Sequence, residues 1–316
     1  MKGKEKSTKY DKPVLLIFFN RPEKARRIIE SLRLIKPSKI FIACDGARHG
    51  NTNDRVNCLK TRELVDTIDW SCEVKKLFQE SNLGCGKGPY TAISWFFSHV
   101  KEGIILEDDS LPGDSFFNFT SEMLDKYRDD KRVMHITGNN FQFGRKRNDD
   151  SYYFSKIPHG AGFATWKRAW ELMDLKLTIW PQLRDENWLY DVCNSKKEYE
   201  MWYNIFEECY QGKQDDAYDY QWTFCCFFNN GLSINPNVNL VSNIGWDSEG
   251  THTVYNSIFA NIPIGELPLE TNHPKAVVVN KKFDNITLRQ NYFKKPLWLR
   301  LVNKIKKIIY SRGTSQ

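Results

Sequence analysis

One apolar run near the start of the chain limits the folds that the sequence can adopt. The run is VLLIFF, at Val14–Phe19, and its residues do not alternate between apolar and polar. Such a run predicts a strand buried on both faces, as in parallel sheets that helices cover on each side. Pro22 then opens a segment whose apolar residues recur at helical spacing. The chain therefore starts as a strand followed by a helix.

Short apolar strands and helical segments alternate along the first 130 residues. The predicted strands are Val14–Phe19, Lys39–Cys44, Val74–Phe78 and Gly103–Leu106. Repeated strand–helix–strand units predict an α/β protein with a Rossmann-like, mostly parallel central sheet flanked by helices. Ligands of such sheets bind outside the carboxyl ends of the strands. The side chains expected to converge there are those of Asn20, Arg21, Asp45, Glu107, Asp108 and Asp109.

The composition excludes several classes of protein. Hydrophobic residues make up 41% of the 316 residues, with 18 glycines and 12 prolines, so the chain is neither disordered nor collagen-like. No apolar run approaches the roughly 18 residues of a membrane helix, and the start, MKGKEKSTKY, lacks the apolar centre of a signal peptide. The eight cysteines are scattered, without C-x-x-C or zinc-site spacing, and we expect reduced thiols. We therefore expect a cytoplasmic protein.

The positive charge is concentrated at the end of the chain. The net charge is +7, and residues 281–316 alone hold ten Lys and Arg and one acid, which leaves −2 for residues 1–280. Apolar residues between the basic ones predict an amphipathic C-terminal helix at 294–312, of the kind that lies on an anionic membrane surface. A helix docked on the body or on a protein partner is the alternative. No recognition motif accompanies the charge, so we expect no nucleic-acid partner.

Three consecutive carboxylates, those of Glu107, Asp108 and Asp109, follow the fourth predicted strand. Carboxylates beside a buried strand end repel one another unless a cation neutralises them. Mg²⁺ or Mn²⁺ bound by one or two carboxylates can complete its shell with diphosphate oxygens. The pattern therefore favours a Mn²⁺ or Mg²⁺ site. The alternative is a solvated acidic turn before a helix predicted at Phe116–Tyr127.

Five segments together carry a resemblance to a known family. They are, in chain order, VLLIFFNRP, IFIACDG, NLGCGKG, GIILEDD and HGAGFATWKRAW. This order resembles nucleotide-diphospho-sugar glycosyltransferases of the GT-A fold, especially the N-acetylglucosaminyltransferase I-like group and related bacterial polysaccharide transferases. The resemblance covers roughly residues 12–255. It implies a GT-A domain at 1–280, with a donor half at about 12–130 and an acceptor half at 131–280, followed by the basic tail at 281–316.

The resemblance also implies an activity. It is a metal-dependent, inverting transfer of a sugar from a nucleoside-diphosphate sugar, with a UDP-sugar favoured. The acceptor would be a saccharide or a lipid-linked glycan. With the basic tail on an anionic surface, the protein would be cytoplasmic and peripheral on the inner face of the membrane.

Roles in the donor half follow from the same resemblance. Asp109 matches the metal-binding carboxylate, with Glu107 and Asp108 facing the ribose and a metal-bound water. Asp45 matches the acid that reads the base or ribose, and Arg21 a basic residue near the diphosphate. Asp45 in a Cys-Asp-Gly sequence could instead build a turn, and Arg21 could be a surface residue at a helix start.

Two further segments are candidates for contact with the donor. The loop Asn82–Gly88 is rich in glycine but is neither a Walker A nor a G-x-G-x-x-G sequence, and Lys87 is its candidate for donor contact. Gly160, Gly162 and Trp166 lie in a segment that the resemblance places beside the donor sugar, where an aromatic face can stack on a sugar ring. The alternative is a loop before a helix at Trp166–Met173, with Trp166 in the core.

The second acidic cluster supplies the candidate base. Inversion needs a carboxylate that takes the proton of the acceptor hydroxyl, and the family's base has an Asp-x-x-Trp-like context, which Asp219 and Trp222 fit. Asp215 and Asp216 are the other candidates, and all three could merely favour the start of a helix predicted from residue 223. His252 is a candidate metal ligand, although a lone histidine is more often structural.

Two other classes of function share part of this pattern. A sugar nucleotidyltransferase has a similar sheet and a carboxylate-bound metal, but we expect it to carry a glycine-rich, basic loop after the first strand. Here that position holds Asn20, Arg21 and Pro22. A non-catalytic carbohydrate-binding protein has no need of three carboxylates at a strand end.

Overall fold

The computed structural model describes residues 10–214, 217–245 and 258–293. The strands are β1 Val14–Phe18, β2 Lys39–Cys44, β3 Glu73–Phe78, β4 Glu102–Glu107, β5 Ser110–Pro112, β6 Val133–Thr137, β7 Tyr152–Ser155, β8 Phe163–Trp166, β9 Leu232–Pro236 and β10 Val241–Asn243. The helices are α1 Pro22–Leu32, α2 Thr52–Glu63, α3 Gly84–His99, α4 Asp114–Lys126, α5 Lys167–Trp170, α6 Trp180–Asp185, α7 Leu189–Val192, α8 Lys196–Tyr210, α9 Asp219–Phe228 and α10 Lys281–Asn291, with a 3₁₀ turn at Leu64–Thr67.

Eight of the strands form one sheet in the order β3-β2-β1-β4-β8-β6-β9-β7, and β10 pairs with β5 separately. The pairs β3–β2, β2–β1, β1–β4 and β6–β9 are parallel, and the other three are antiparallel. This confirms the predicted mostly parallel central sheet flanked by helices. Strand β8 runs antiparallel between β4 and β6 and joins the two halves of the sheet.

The sheet is buried on both faces, as the VLLIFF run predicts. Leu16 packs with α1 and α4 on one face, and its neighbour Leu15 packs with α3 and α9 on the other. Both side chains are fully buried. Complete burial of one such side chain contributes roughly 1.5–3 kcal/mol. The alternate packing therefore fixes which helices cover each face of β1.

Two helix starts bear on the strand-end residues. Helix α3 begins at Gly84, where the side chain of Asp45 accepts hydrogen bonds from the backbone N–H groups of Leu83 and Gly84. Helix α9 begins at Asp219 rather than at residue 223. The candidate base therefore lies within the helix, in its first turn.

Helix α10 packs on the body of the protein. Phe283 and Leu288 are buried, and Nε2 of Gln142 donates to Oγ1 of Thr287 at 3.0 Å. The start of the segment assigned to the tail is thus part of the folded core. The helix predicted at 294–312 lies outside the described residues. Among the helices that the structure describes, none combines the length and apolar character needed to span a bilayer.

Candidate functional site

A cavity of about 860 Å³ opens at the carboxyl ends of β1, β2 and β4. The parallel register brings these ends together, since Ile17 pairs with Ala43 on one side and with Glu107 on the other. The predicted site residues that line the cavity are Arg21, Asp45, Glu107, Asp108, Asp109, Gly160 and Asp219. The expected convergence of strand-end residues is therefore found, except for Asn20.

The two aspartates of the acidic cluster face one guanidinium. Nη1 of Arg21 donates to Oδ1 of Asp108 at 3.1 Å and to Oδ2 of Asp109 at 3.5 Å. The side chains of Arg21 and Asp108 are only 13% and 11% exposed. Two carboxylates from the end of β4 thus converge on one positively charged group inside the cavity.

Burial dominates the electrostatics of the acidic cluster. It raises the pKa of Glu107, and the charge of Asp109 raises that pKa further. Burial also raises the pKa of Asp108 and of Asp109, against the opposing effect of Arg21. The cluster therefore favours either protons or a cation.

The donor set suits a hard divalent cation that takes only part of its shell from the protein. Within the described residues, no three His, Cys, Asp or Glu side chains converge as a complete metal site. Asp108 and Asp109 are nevertheless two oxygen donors that face the same point, and Mg²⁺ commonly takes one or two carboxylates together with water and phosphate oxygens. His252, the other predicted ligand, lies outside the described residues.

A segment that sequence reasoning missed abuts Asp109. The backbone N–H of Ile244 donates to the carbonyl of Asp109 at 2.8 Å. A Cβ atom added to Gly245 would lie 2.4 Å from Oδ2 of Asp109. Glycine at 245 therefore leaves room for this carboxylate. No local sequence pattern predicts a contact between residues so far apart in the chain.

Asp45 organises the glycine-rich loop. Its Oδ1 accepts from the N–H of Gly46 at 2.8 Å and of Leu83 at 2.9 Å, and its Oδ2 accepts from the N–H of Gly84 at 3.1 Å. Nδ2 of Asn82 also donates to Oδ2, at 3.0 Å. The carboxylate thus lines the cavity and builds a turn, and its negative charge lies at the start of α3, where it interacts favourably with the helix dipole.

Two residues predicted to contact the sugar donor do not line the cavity, and a basic residue that the sequence analysis did not single out, Arg48, does. Asn20 donates to Oδ1 of Asp54 at 2.8 Å, and Lys87 is exposed on α3; neither lines the cavity. Arg48 does line it, with its guanidinium over the ring of Phe19 at 5.5 Å. The guanidinium of Arg48 also donates two hydrogen bonds to Asp54, whose pKa it lowers.

The structure corrects the placement of Trp166. Its side chain is 2% exposed, its Nε1 donates to the carbonyl of Leu124 at 3.2 Å, and Arg168 covers its ring at 4.4 Å. The ring lies in the core because β8 is a central strand, and it has no face toward the cavity. Gly160 does line the cavity, whereas Gly162 has φ +66° and packs against Val241.

Asp219 lies in the cavity wall at the start of α9, and its side chain is exposed. Its neighbour Tyr218 is buried and donates its hydroxyl to Oε1 of Glu107 at 2.9 Å. The acidic cluster and the second acidic segment are therefore in contact. Asp215 and Asp216 lie outside the described residues.

Comparison with known proteins finds distant structural similarities. No family model matches the sequence, and no curated protein matches it. A mannosyltransferase from Pyrobaculum calidifontis in complex with GDP-Man and Mn²⁺ has 12% identity and a TM-score of 0.38, over 52% of this chain and 47% of that chain. An apo UDP-glucose pyrophosphorylase has 9% identity and a TM-score of 0.36, over 72% of this chain and 90% of that one.

A cytidylyltransferase from Leptospira borgpetersenii has 12% identity and a TM-score of 0.33, over 56% of this chain and 72% of that one. In the comparison with the mannosyltransferase, this chain spans about half the length of that protein's chain.

Proposed function

We propose that this chain is a metal-dependent, inverting glycosyltransferase of the GT-A fold. It moves a sugar from a nucleoside-diphosphate sugar, with a UDP-sugar favoured, to a saccharide or lipid-linked glycan. One observation carries the proposal: Asp108 and Asp109 converge on the guanidinium of Arg21 in the same strand-end cavity that Asp219 lines. Two carboxylates that can share a cation, in one cavity with a third carboxylate that can act as a base, are what metal-dependent, inverting transfer from a diphosphate needs.

The acidic cluster and Arg21 serve the leaving group in this proposal. Asp109, with Asp108, would hold Mn²⁺ or Mg²⁺, which when bound offsets the charge on the departing diphosphate. Arg21 lies beside these two carboxylates and lines the cavity, so it supplies a second positive charge next to the metal. Glu107, at the end of β4, accepts a hydrogen bond from the hydroxyl of Tyr218 next to these groups.

Asp219 serves the acceptor. Its carboxylate takes the proton of the acceptor hydroxyl as that oxygen attacks the anomeric carbon, while the bond from this carbon to the diphosphate breaks. One direct displacement inverts the anomeric centre. The exposed position of Asp219 in the cavity wall gives an acceptor access to it.

The connection after β1 supports transfer of a sugar over transfer of a nucleotide. Strand β1 ends at Phe18 and α1 begins at Pro22, so only residues 19–21 join them. This connection has no room for the glycine-rich, basic loop that we expect of a sugar nucleotidyltransferase. Arg21 is its one basic residue.

We also propose that the basic residues after 293 bind an anionic membrane surface. Because α10 packs on the body, truncation after Phe293 leaves the described core complete. The truncated protein should sediment less with vesicles that contain anionic lipid. Each basic residue near the surface contributes about 1 kcal/mol to the binding free energy that the truncation removes. Equal sedimentation of full-length and truncated protein would reject this part of the proposal.

A screen of nucleotide sugars tests the activity. We expect release of a nucleoside diphosphate from one of them when Mn²⁺ and a saccharide acceptor are present, and a large loss of release in Asp109→Asn. Asp69→Asn is a matched control, since Asp69 is an exposed surface residue paired with Arg33. Formation of pyrophosphate from a nucleoside triphosphate and a sugar phosphate would instead identify a nucleotidyltransferase.

A further inference from the structure

The side chain of Tyr218 holds the start of α9 through a contact outside that helix. Tyr218 occupies the N-cap position of α9 and makes no side-chain capping bond. Its hydroxyl instead crosses to the end of β4 and donates to Oε1 of Glu107 at 2.9 Å. Tyr218 is 7% exposed, so this hydroxyl lies where loss of its partner would be costly.

A second contact holds the same helix one turn later. Nε1 of Trp222 lies 3.2 Å from Nδ1 of His135, and an indole N–H can only donate. Nδ1 therefore accepts, and Nε2 of His135 carries the hydrogen that it donates to the carbonyl of His159 at 3.0 Å. Burial lowers the pKa of His135 to about 4, which agrees with a neutral ring. His159 immediately precedes Gly160, which lines the cavity.

The two contacts fix the helix in rotation and in position along its axis. Tyr218 and Trp222 are four residues apart, so they lie on the same face of α9. Trp170 packs against both rings, with centroids at 6.3 Å from Tyr218 and 5.2 Å from Trp222. With this face fixed, Asp219 points away from it and remains exposed in the cavity wall.

We propose that Tyr218 is a positioning residue for sugar transfer: its hydrogen bond to Glu107 sets the distance between Asp219 and the acidic cluster. This rests on the proposed function, in which Asp219 is the base. The base and the donor side of the site are carried by elements distant in sequence, and the hydroxyl of Tyr218 makes a hydrogen bond that joins them directly. The contact of Trp222 with His135 is the second anchor of the same helix.

The first experiment compares Tyr218→Phe with the wild type. Phenylalanine keeps the ring against Trp170 and removes only the hydroxyl. We expect kcat for transfer to fall about 10- to 100-fold, the equivalent of one hydrogen bond to a charged group, with the donor Kd within about twofold. The first hydrogen-bonded amides of α9, beginning with that of Trp222, which donates to the carbonyl of Tyr218 at 2.9 Å, should exchange hydrogen faster, in protein without donor or metal. Trp222→Phe should produce a smaller change of the same kind.

A matched control separates positioning from general loss of stability. Tyr127→Phe also removes a buried hydroxyl bond, to Tyr152 at 2.6 Å, away from the cavity. It should leave kcat and exchange in α9 unchanged, even if it lowers the melting temperature.

Three results would overturn the role of Tyr218. One is wild-type kcat together with wild-type exchange in α9. Another is a loss of donor affinity with unchanged kcat, which would place Tyr218 on the donor side only. A third is an equal loss of kcat in Tyr127→Phe. Hydrogen exchange needs no substrate, so it tests the anchor of α9 separately from the reaction. Faster exchange in Tyr218→Phe, combined with a wild type that transfers no sugar, would refute the proposed function and the positioning role with it. The anchor of α9 would still be established.

Discussion

The guanidinium of Arg21 lies 3.1 Å from the carboxylate of Asp108, and the sheet itself sets this ion pair. Arg21 follows β1 and Asp108 follows β4, and these strands are parallel neighbours. Burial raises the pKa of Asp108, and Arg21 acts in the opposite direction. The ion pair therefore lies beside the position where the proposed activity needs a divalent cation.

Binding of Mn²⁺ should release protons. The pKa values of Glu107, Asp108 and Asp109 are all raised, chiefly by burial, so the metal-free cluster retains protons at mildly acidic pH. A cation binds the deprotonated carboxylates, so its affinity should increase as the pH rises through these raised values. Calorimetric titration in two buffers of different ionisation enthalpy counts the protons. An affinity that is constant from mildly acidic to neutral pH would contradict this account.

Asp109→Asn should abolish Mn²⁺-dependent donor binding without unfolding the protein. A carboxyl whose pKa is raised on folding stabilises the fold at low pH, and this contribution is lost as the pH rises through the folded pKa. Asparagine removes that loss, so we expect a melting temperature at neutral pH at least equal to that of the wild type. Calorimetry with UDP and Mn²⁺ measures the binding. Donor affinity that Mn²⁺ still enhances would exclude Asp109 as a ligand.

Gly245→Ala should weaken metal binding at the same site by displacing the carboxylate of Asp109. The added Cβ would lie 2.4 Å from Oδ2 of Asp109, so the carboxylate has to move. We expect Mn²⁺ affinity to fall by about tenfold or more, which corresponds to about 1.4 kcal/mol. Gly265→Ala is the control, because its Cβ would approach nothing closer than 3.3 Å. Unchanged Mn²⁺ affinity in Gly245→Ala would show that this carboxylate does not bind the metal.

Asp219→Asn should separate binding from transfer. The side chain lies in the cavity wall, and we assign it only to the acceptor hydroxyl. Transfer should fall about 10²- to 10⁴-fold, as is typical when a general base is removed, with donor and Mn²⁺ affinity unchanged. Asp191→Asn, an exposed substitution on α7, is the control. Near-normal transfer by Asp219→Asn, with loss in Asp215→Asn or Asp216→Asn, would move the base within the acidic segment.

The sequence predicts the strands of the donor half well because their signal is local. The apolar run of β1 and the segment Lys39–Cys44 are found within a residue of their predicted bounds. Runs of this kind specify burial on both faces without reference to the rest of the chain. The acids that follow β4 are found at the cavity because the end of their strand is also predicted from a local apolar run.

Contacts between distant segments could not be predicted in this way. Tyr218 meets Glu107 across 111 positions, and neither residue has a local pattern that indicates the other. The resemblance places the segment of Trp166 beside the donor sugar, but the pairing of β8 between β4 and β6 places this side chain in the core. The start of α9 was missed because its first turn holds polar and aromatic residues without apolar periodicity.

The most direct test of the proposed activity follows the reaction by NMR. Wild-type protein is incubated with the nucleotide sugar selected by the screen, Mn²⁺ and a saccharide acceptor, and the anomeric signal of the product is compared with that of the donor. We expect a glycoside of opposite anomeric configuration, formed together with one nucleoside diphosphate for each sugar transferred. Retention of configuration would contradict the role of Asp219, and absence of any Mn²⁺-dependent glycoside would contradict the assignment as a glycosyltransferase.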